Sequence, residues 1–334
     1  MPAAPSGKPA SAPPEGPDPA TVAGIGEFGL IAALTGDHGR PGTTLLGPGD
    51  DAAVVAAPDA RVVATTDVLV EGVHFRLDWS TPEQVGRKAA AVNLADIAAM
   101  GATPTALLVG LACPPTTPTA TVVAMGTALR AEAESAGADV VGGDVTSGPV
   151  IVLAITALGS LGGRPPVTRA GARPGDVVAL CGDLGRAAAG LAVLSRGFRS
   201  PREFVEAQRV PAPPYAAGRQ AALTGATAMI DVSDGLLADL GHVAAASGVV
   251  IDVAMPPVPA RMAEVGSALG VDPAVWLLTG GEDHALAATF PPGTALPDGW
   301  TEMGAVRHGE PGVLVAGRLY DPEVPPGWEH FGGS

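Results

Sequence analysis

The sequence predicts a mixed α/β protein in two domains, with α/β and α+β layouts both open. Three observations lead there. Strand-like apolar runs alternate with alanine-rich helical ones along most of the chain. The 46 glycines gather at turns between those runs and follow no collagen period. A length of 334 residues suits two domains, and apolar residues at 47% with aromatics at 4% imply a core of Ala, Val and Leu.

Residues 1–23 read as a disordered N-terminal tail, Pro/Ala/Ser/Gly-rich and lacking the basic start and apolar centre of a signal peptide. Folded sequence is expected from about Gly26, with a first domain over 24–162 and a second over 163–334. Glu27 to Leu34 reads as a short helix, and strands follow at 52–56 and 61–66. Ser80-Thr81-Pro82-Glu83 has the form of a capping box with Ser80 as the cap, opening a helix that stops at Gly101. Strands near 107–112, 138–141 and 149–159 surround a helix over 121–135. In the second half, strands are expected at 177–181, 228–232, 249–253, 284–290 and 313–316. Helices are expected at 186–195, 216–223, from Gly235 to 246, and at 261–269, with a short one between Phe198 and Pro214.

The formal charge of −15 argues against nucleic acid as a general partner. Lys8 and Lys88 are the only lysines, so arginine carries most positive charge. Cys113 and Cys181 each adjoin an apolar run and read as buried free thiols, not a disulfide framework. No purely apolar run of membrane-spanning length occurs, and a cytoplasmic location is expected.

The carboxylates are the informative feature. Asp51, Asp67, Asp96, Asp144, Asp231 and Asp234 all fall at or near element ends. Strand alternation points Thr65 and Asp67 to one face and Thr66 to the other. Val85, Ala89, Val92 and Asp96 share a helical stripe, Val85 and Asp96 lying only about 20° apart around the axis. Asp96 therefore either pairs with an arginine or looks into a polar site at the sheet edge. Six carboxylates brought together repel unless cations sit between them. Mg²⁺ bridging phosphate oxygens meets that need. Helix starts after Gly185 and Asp234 offer N–H groups to anions, and Arg169 offers a guanidinium. No Walker loop, dinucleotide-binding glycine run or protein-kinase motif set is present. Ser233 lacks a nucleophile elbow, and a glycosidase would want more aromatic platforms. The late aromatics Trp328 and Phe331 dock either on a domain surface or on a planar ligand.

Eight segments in order resemble the thiamine-monophosphate kinase family, within the superfamily that includes aminoimidazole-ribonucleotide synthetase and selenophosphate synthetase. They are Gly-Glu-Phe-Gly-Leu-Ile at 26–31, Gly-Asp-Asp-Ala-Ala at 49–53 and Thr-Thr-Asp-Val-Leu-Val-Glu-Gly-Val-His-Phe at 65–75. Ala-Val-Asn-Leu-Ala-Asp-Ile-Ala-Ala-Met-Gly at 91–101, Gly-Gly-Asp at 142–144 and Asp-Val-Ser-Asp-Gly-Leu at 231–236 follow. Gly-Gly-Glu-Asp at 280–283 and His-Phe-Gly-Gly at 330–333 complete the set and separate the chain from the sister enzymes. The resemblance implies an aminoimidazole-ribonucleotide synthetase-like fold, a homodimer pairing strands of the N-terminal domain, and a C-terminal α/β domain. It implies ATP-dependent phosphorylation of thiamine monophosphate to thiamine diphosphate. Asp51, Thr65, Thr66, Asp67, Asp96, Asp144, Asp231 and Asp234 match the Mg²⁺ cluster. Of these, Asp67, Asp144, Asp231 and Asp234 would carry the metal-assisted catalysis, with no general base. Gly143, Asp144, Arg169 and Ser233 match ATP contacts, and His74, Glu282 and Phe331 match contacts to thiamine phosphate. Two positions depart from the common pattern: His284 stands where Tyr is usual, and Ser135 and Ala136 stand where aromatics are frequent. The competing readings are another ATP-using enzyme of the superfamily acting on a different phosphorylated molecule, and a nucleotide-binding regulator without turnover.

Overall fold

The computed structural model describes residues 18, 20–35, 43–46, 53–320 and 327. Helix α1 (Val22–Thr35), broken at Gly26, precedes a small antiparallel pair, β1 (Thr44–Leu46) with β2 (Val54–Val55). The first large sheet has four strands, β3 (Val63–Val70), β4 (Thr103–Cys113), β5 (Asp139–Ser147) and β6 (Val152–Ser160), in the order β3-β6-β4-β5. Only β4 and β5 run parallel.

Alternation organises this sheet. Leu153, Ile155 and Ala157 of β6 are buried in one cluster with Val85, Ala89 and Val92 of α2 (Pro82–Ala99) and Val122, Met125 and Leu129 of α3 (Thr119–Ser135). The opposite face is left half-exposed, with Val68 at 47% and Leu108 at 37%.

The second sheet has six strands: β7 (Val177–Cys181), β8 (Ala228–Val232), β9 (Val250–Val253), β10 (Ala285–Phe290), β11 (Trp300–Arg307) and β12 (Gly312–Val315). Their order is β12-β9-β11-β7-β10-β8, antiparallel except between β12 and β9. Both faces are covered. Ala285 and Ala287 join the core shared with α4 (Arg186–Ser195), α5 (Arg202–Arg209), α7 (Leu236–Ser247), α8 (Ala260–Leu269) and α9 (Pro273–Thr279). Leu286, Ala288 and Phe290 face the other way, packing with Ala217 and Ala221 of α6 (Tyr215–Thr224) and with Ala98 and Ala99 at the end of α2. Helix α2 thus serves both sheets. The fold is α+β in two domains, and the second sheet is mixed and mainly antiparallel.

Several expectations shift. The capping box is one residue later than the sequence suggests: Thr81 is the cap and Gln84 its reciprocal partner, with Pro82 opening the helix. Ser80 instead donates its backbone N–H to Arg76 O at 2.8 Å. Helix α9 escapes a hydrophobic-period reading because it is only seven residues long; Asp272 caps it and Pro273 starts it. Strand β11 escapes because Glu302 and Gly304 interrupt its alternation, where the pairing to β7 shifts register. The two cysteines are buried and free. Among the described residues no helix is long and apolar enough to cross a membrane.

Candidate active site

The strand β3 is one edge of the four-stranded sheet and β8 one edge of the six-stranded sheet. Helix α2 touches both. Residues far apart in sequence therefore meet along one seam.

On the β3 side, Thr65 Oγ1 donates to Asp96 Oδ2 at 2.6 Å. An edge strand leaves alternate N–H groups unpaired. The Asp67 N–H, pointing off the sheet, donates to Asn93 Oδ1 at 3.0 Å, and Asn93 Nδ2 donates to Ala89 O at 3.0 Å. The polar stripe of α2 is thereby locked to β3. From the β8 side comes Asp231, only 4% exposed, with His284 Nδ1 3.0 Å from its Oδ2.

The carboxylates of the seam act on one another. Burial pushes the Asp96 carboxyl up to about 7; Asp231 and Asp67 push the same way, while the Thr65 hydroxyl and His284 oppose them. Asp67 is also raised, by burial first and by Asp231 as well, against His284 and His74. His284 is held above its usual range: burial works against its charge, but Asp231, Glu282 and Asp96 outweigh it. Buried oxygen donors that raise one another's affinity for protons have a deficit of positive charge. Mg²⁺, a hard cation that favours carboxylate oxygen, fits that deficit.

A second acidic group adjoins the first. Asp234, Asp239 and His242 bring one ligand atom each within 4.8 Å of one another at the start of α7. Asp239 accepts from the N–H groups of Asp234 and Gly235 at 3.1 and 3.0 Å. Burial moves Asp239 up to about 7, and both Asp231 and Asp234 contribute.

Not every expected residue joins. Thr66 lies on the opposite face, where its hydroxyl donates to Ile155 O at 2.9 Å; β3 pairs with β6 in unbroken register, so no bend brings Thr66 round. Asp144 is exposed on β5, three strands from β3, or roughly 14 Å at normal strand spacing, in the row of Val68, Ala154 and Gly110. Within one chain it does not meet Asp67. Gly143 has a structural reason to be glycine, since a Cβ there would lie 2.0 Å from Val109 O. Arg169 is exposed on the loop before β7, and its carbonyl accepts from Ser247 Oγ at 2.9 Å. Asp51 and Phe331 lie outside the described residues.

The Gly-Gly-Glu-Asp turn divides its labour. The Ser233 carbonyl accepts the Glu282 N–H at 2.8 Å, tying the turn to the end of β8. Glu282 Oε1 accepts from Lys88 Nζ at 2.7 Å, across the seam. Asp283 Oδ2 and Oδ1 accept from the N–H groups of Gly185 and Ala187 at 2.6 and 2.8 Å, capping α4 from a distant segment. His74 Nδ1 accepts from the Val70 N–H at 3.0 Å, which places its ring at the end of β3. A cleft of about 330 Å³ beside Asp283 is lined also by Gln84, Arg87, Arg186 and Glu206.

Lys88, Asp239 and His242 were not among the residues the sequence singled out for the site. Asn93 entered only within the 91–101 segment beside Asp96, and Lys88 left a signal as the single lysine of the folded region.

The fold and this seam of carboxylates define a class. Residues 49–161 match the family described as AIR synthase related protein, N-terminal domain, and residues 173–280 match its C-terminal domain. A relative described as thiamine-monophosphate kinase, from Mycobacterium tuberculosis (strain CDC 1551 / Oshkosh), is 49% identical over 315 residues, covering 93% of each chain. The crystal structure of thiamine-monophosphate kinase from Stenotrophomonas maltophilia K279a superposes with a TM-score of 0.74 at 32% identity, covering 86% of this chain and 95% of that one. AaThiL complexed with AMPPCP and TMP gives 0.75 at 33% identity, covering 92% and 97%. The chain belongs to the thiamine-monophosphate kinase family.

Proposed function

We propose that this protein transfers the γ-phosphoryl group of ATP to thiamine monophosphate, giving thiamine diphosphate and ADP. One observation carries the reading: Thr65, Asp67 and Asp96 of one sheet and Asp231 of the other converge on α2 in a seam short of positive charge. Relatives bearing that activity in their names, and a similar structure complexed with AMPPCP and TMP, support it.

Asp67, Asp96, Asp231 and Asp234 would hold Mg²⁺ in this reading, with Thr65 orienting Asp96. Bound there, Mg²⁺ would neutralise phosphate oxygens as charge shifts in the transition state. Asp51, outside the described residues, is proposed as a further ligand on the strength of the sequence resemblance alone. Ser233 and Arg169 are the proposed ATP contacts within one chain, and Gly143 and Asp144, three strands from β3, would contribute from the second chain of the dimer; His74, Glu282 and Phe331 receive the acceptor. The acceptor phosphate has its second pKa near about 6, so much of it is already deprotonated at neutral pH. No side chain is needed as a general base. The chain's residues align two anions and screen their repulsion for in-line attack.

The domain division at about 162, a cytoplasmic setting and a homodimer belong to the same reading. The dimer is supported by the half-exposed sheet face bearing Val68 and Leu108, from which Asp144 also projects. The test is product analysis with ATP, Mg²⁺ and thiamine monophosphate. Thiamine diphosphate is expected; ATP consumption only with another phosphorylated acceptor would refute the assignment.

A further inference from the structure

Lys88 is 2% exposed on α2, directly after the half-exposed Arg87 and before a buried run of alanines. A buried ammonium is costly unless its donors are used. Here all three find acceptors, at His74 O (3.1 Å), Gln208 O (3.2 Å) and Glu282 Oε1 (2.7 Å). These belong to the loop after β3, the end of α5 and the turn before β10, so one side chain ties three segments across the seam.

Glu282 is held with unusual care. Its backbone is left-handed, φ 68°, a conformation that disfavours a side chain. Its N–H is anchored on Ser233 O, and Gly281 before it has no room for a Cβ, which would sit 2.3 Å from the same oxygen. The backbone is therefore fixed by β8 and the side chain by Lys88. Burial opposes the charge on Glu282, but Lys88 overcomes it and keeps the carboxyl below its usual range. One oxygen is engaged, yet the side chain keeps 36% exposure. A carboxylate cannot receive the acceptor's phosphate. It suits the positively charged thiazolium ring, which carries the phosphate arm of thiamine monophosphate.

We propose that Lys88 is a positioning residue for the acceptor: it presents the exposed edge of an ionised Glu282 to the cationic ring. This rests on the reading of Glu282 as an acceptor contact. If Lys88 served stability alone, an apolar residue of similar volume would replace it at little cost to binding.

The test uses the full chain. Lys88→Met, Lys88→Gln, Glu282→Gln and the Lys88→Met/Glu282→Gln double variant are compared by steady-state kinetics in both substrates and by calorimetric binding of AMPPCP with Mg²⁺. Lys88→Met is expected to raise the KM for thiamine monophosphate about tenfold or more, with the KM for ATP and AMPPCP affinity within about twofold. Lys88→Gln, which keeps donors for the two carbonyls but no charge, should give the same split if Lys88→Met folds poorly. The double variant should be no worse than Glu282→Gln alone, since the two act as a unit. Equal rises in both KM values, or fully additive effects, would overturn the proposal. Glu282→Gln with an unchanged acceptor KM would instead remove the assignment of Glu282 on which it rests.

Discussion

At Asp67 three demands meet in one residue: its N–H closes a hydrogen bond to Asn93, its carboxyl is raised by burial, and Asp231 stands near from the other domain. Asp67→Asn keeps the backbone contact and the volume but removes the charge. Turnover at saturating Mg²⁺ is expected to fall by about 10³-fold or more, with thermal stability unchanged or improved, since a repelling charge is gone. Activity within about tenfold of the parent would contradict the ligand assignment. Asp283 makes a different prediction. Burial lifts its carboxyl from 3.8 to about 7 even though two backbone N–H groups favour its charge. The folded state thus keeps a proton that the unfolded state releases, so stability falls as pH rises between about 4 and 7. The slope reaches up to ~1.4 kcal/mol per pH unit. Asp283→Asn should flatten that dependence in denaturant titrations from about pH 5 to about pH 7. The Thr65/Asp67 pairing and the inward face of Asp96 were legible in the sequence because strand and helix periods are local rules. Lys88, Asp239 and His242 were not, because their partners are set by how distant elements pack.

Among the elements, α2 bears the most constraints. It packs on the first sheet, on α3, and through Ala98 and Ala99 on the second sheet. Two close approaches make this possible: a Cβ at Gly86 would lie 2.0 Å from Met125 O, and one at Gly218 of α6 would lie 1.9 Å from Ala98 O. Gly86→Ala should therefore destabilise the protein by about 1–3 kcal/mol through overpacking, despite alanine's better helix propensity. A stability gain in thermal or chemical denaturation would refute that packing. The helix was foreseeable from its cap and stripe, but its service to two sheets was not. Nothing in an Ala-rich repeat distinguishes a helix buried on one side from one buried all round. The same limit explains α9 and β11, whose signals are short or interrupted.

For the whole molecule, the site is a property of two sheet edges facing one helix, and the separation of Asp144 from Asp67 is its sharpest consequence. Asp144 lies on the face left half-exposed in a single chain, beside the row of Val68 and Gly110. If that face is the homodimer contact, Val68→Asp should shift sedimentation from dimer to monomer, because it would bury unpaired charge. An unchanged dimer would place the contact elsewhere. In the proposed function, both domains would contribute to one metal-dependent phosphate site. Calorimetric titration of AMPPCP with and without Mg²⁺, on the parent, Asp67→Asn and Asp231→Asn, tests it most directly. Mg²⁺-dependent binding is expected in the parent, with a loss of about tenfold or more in each single variant. Full Mg²⁺-dependent affinity in either variant would contradict it.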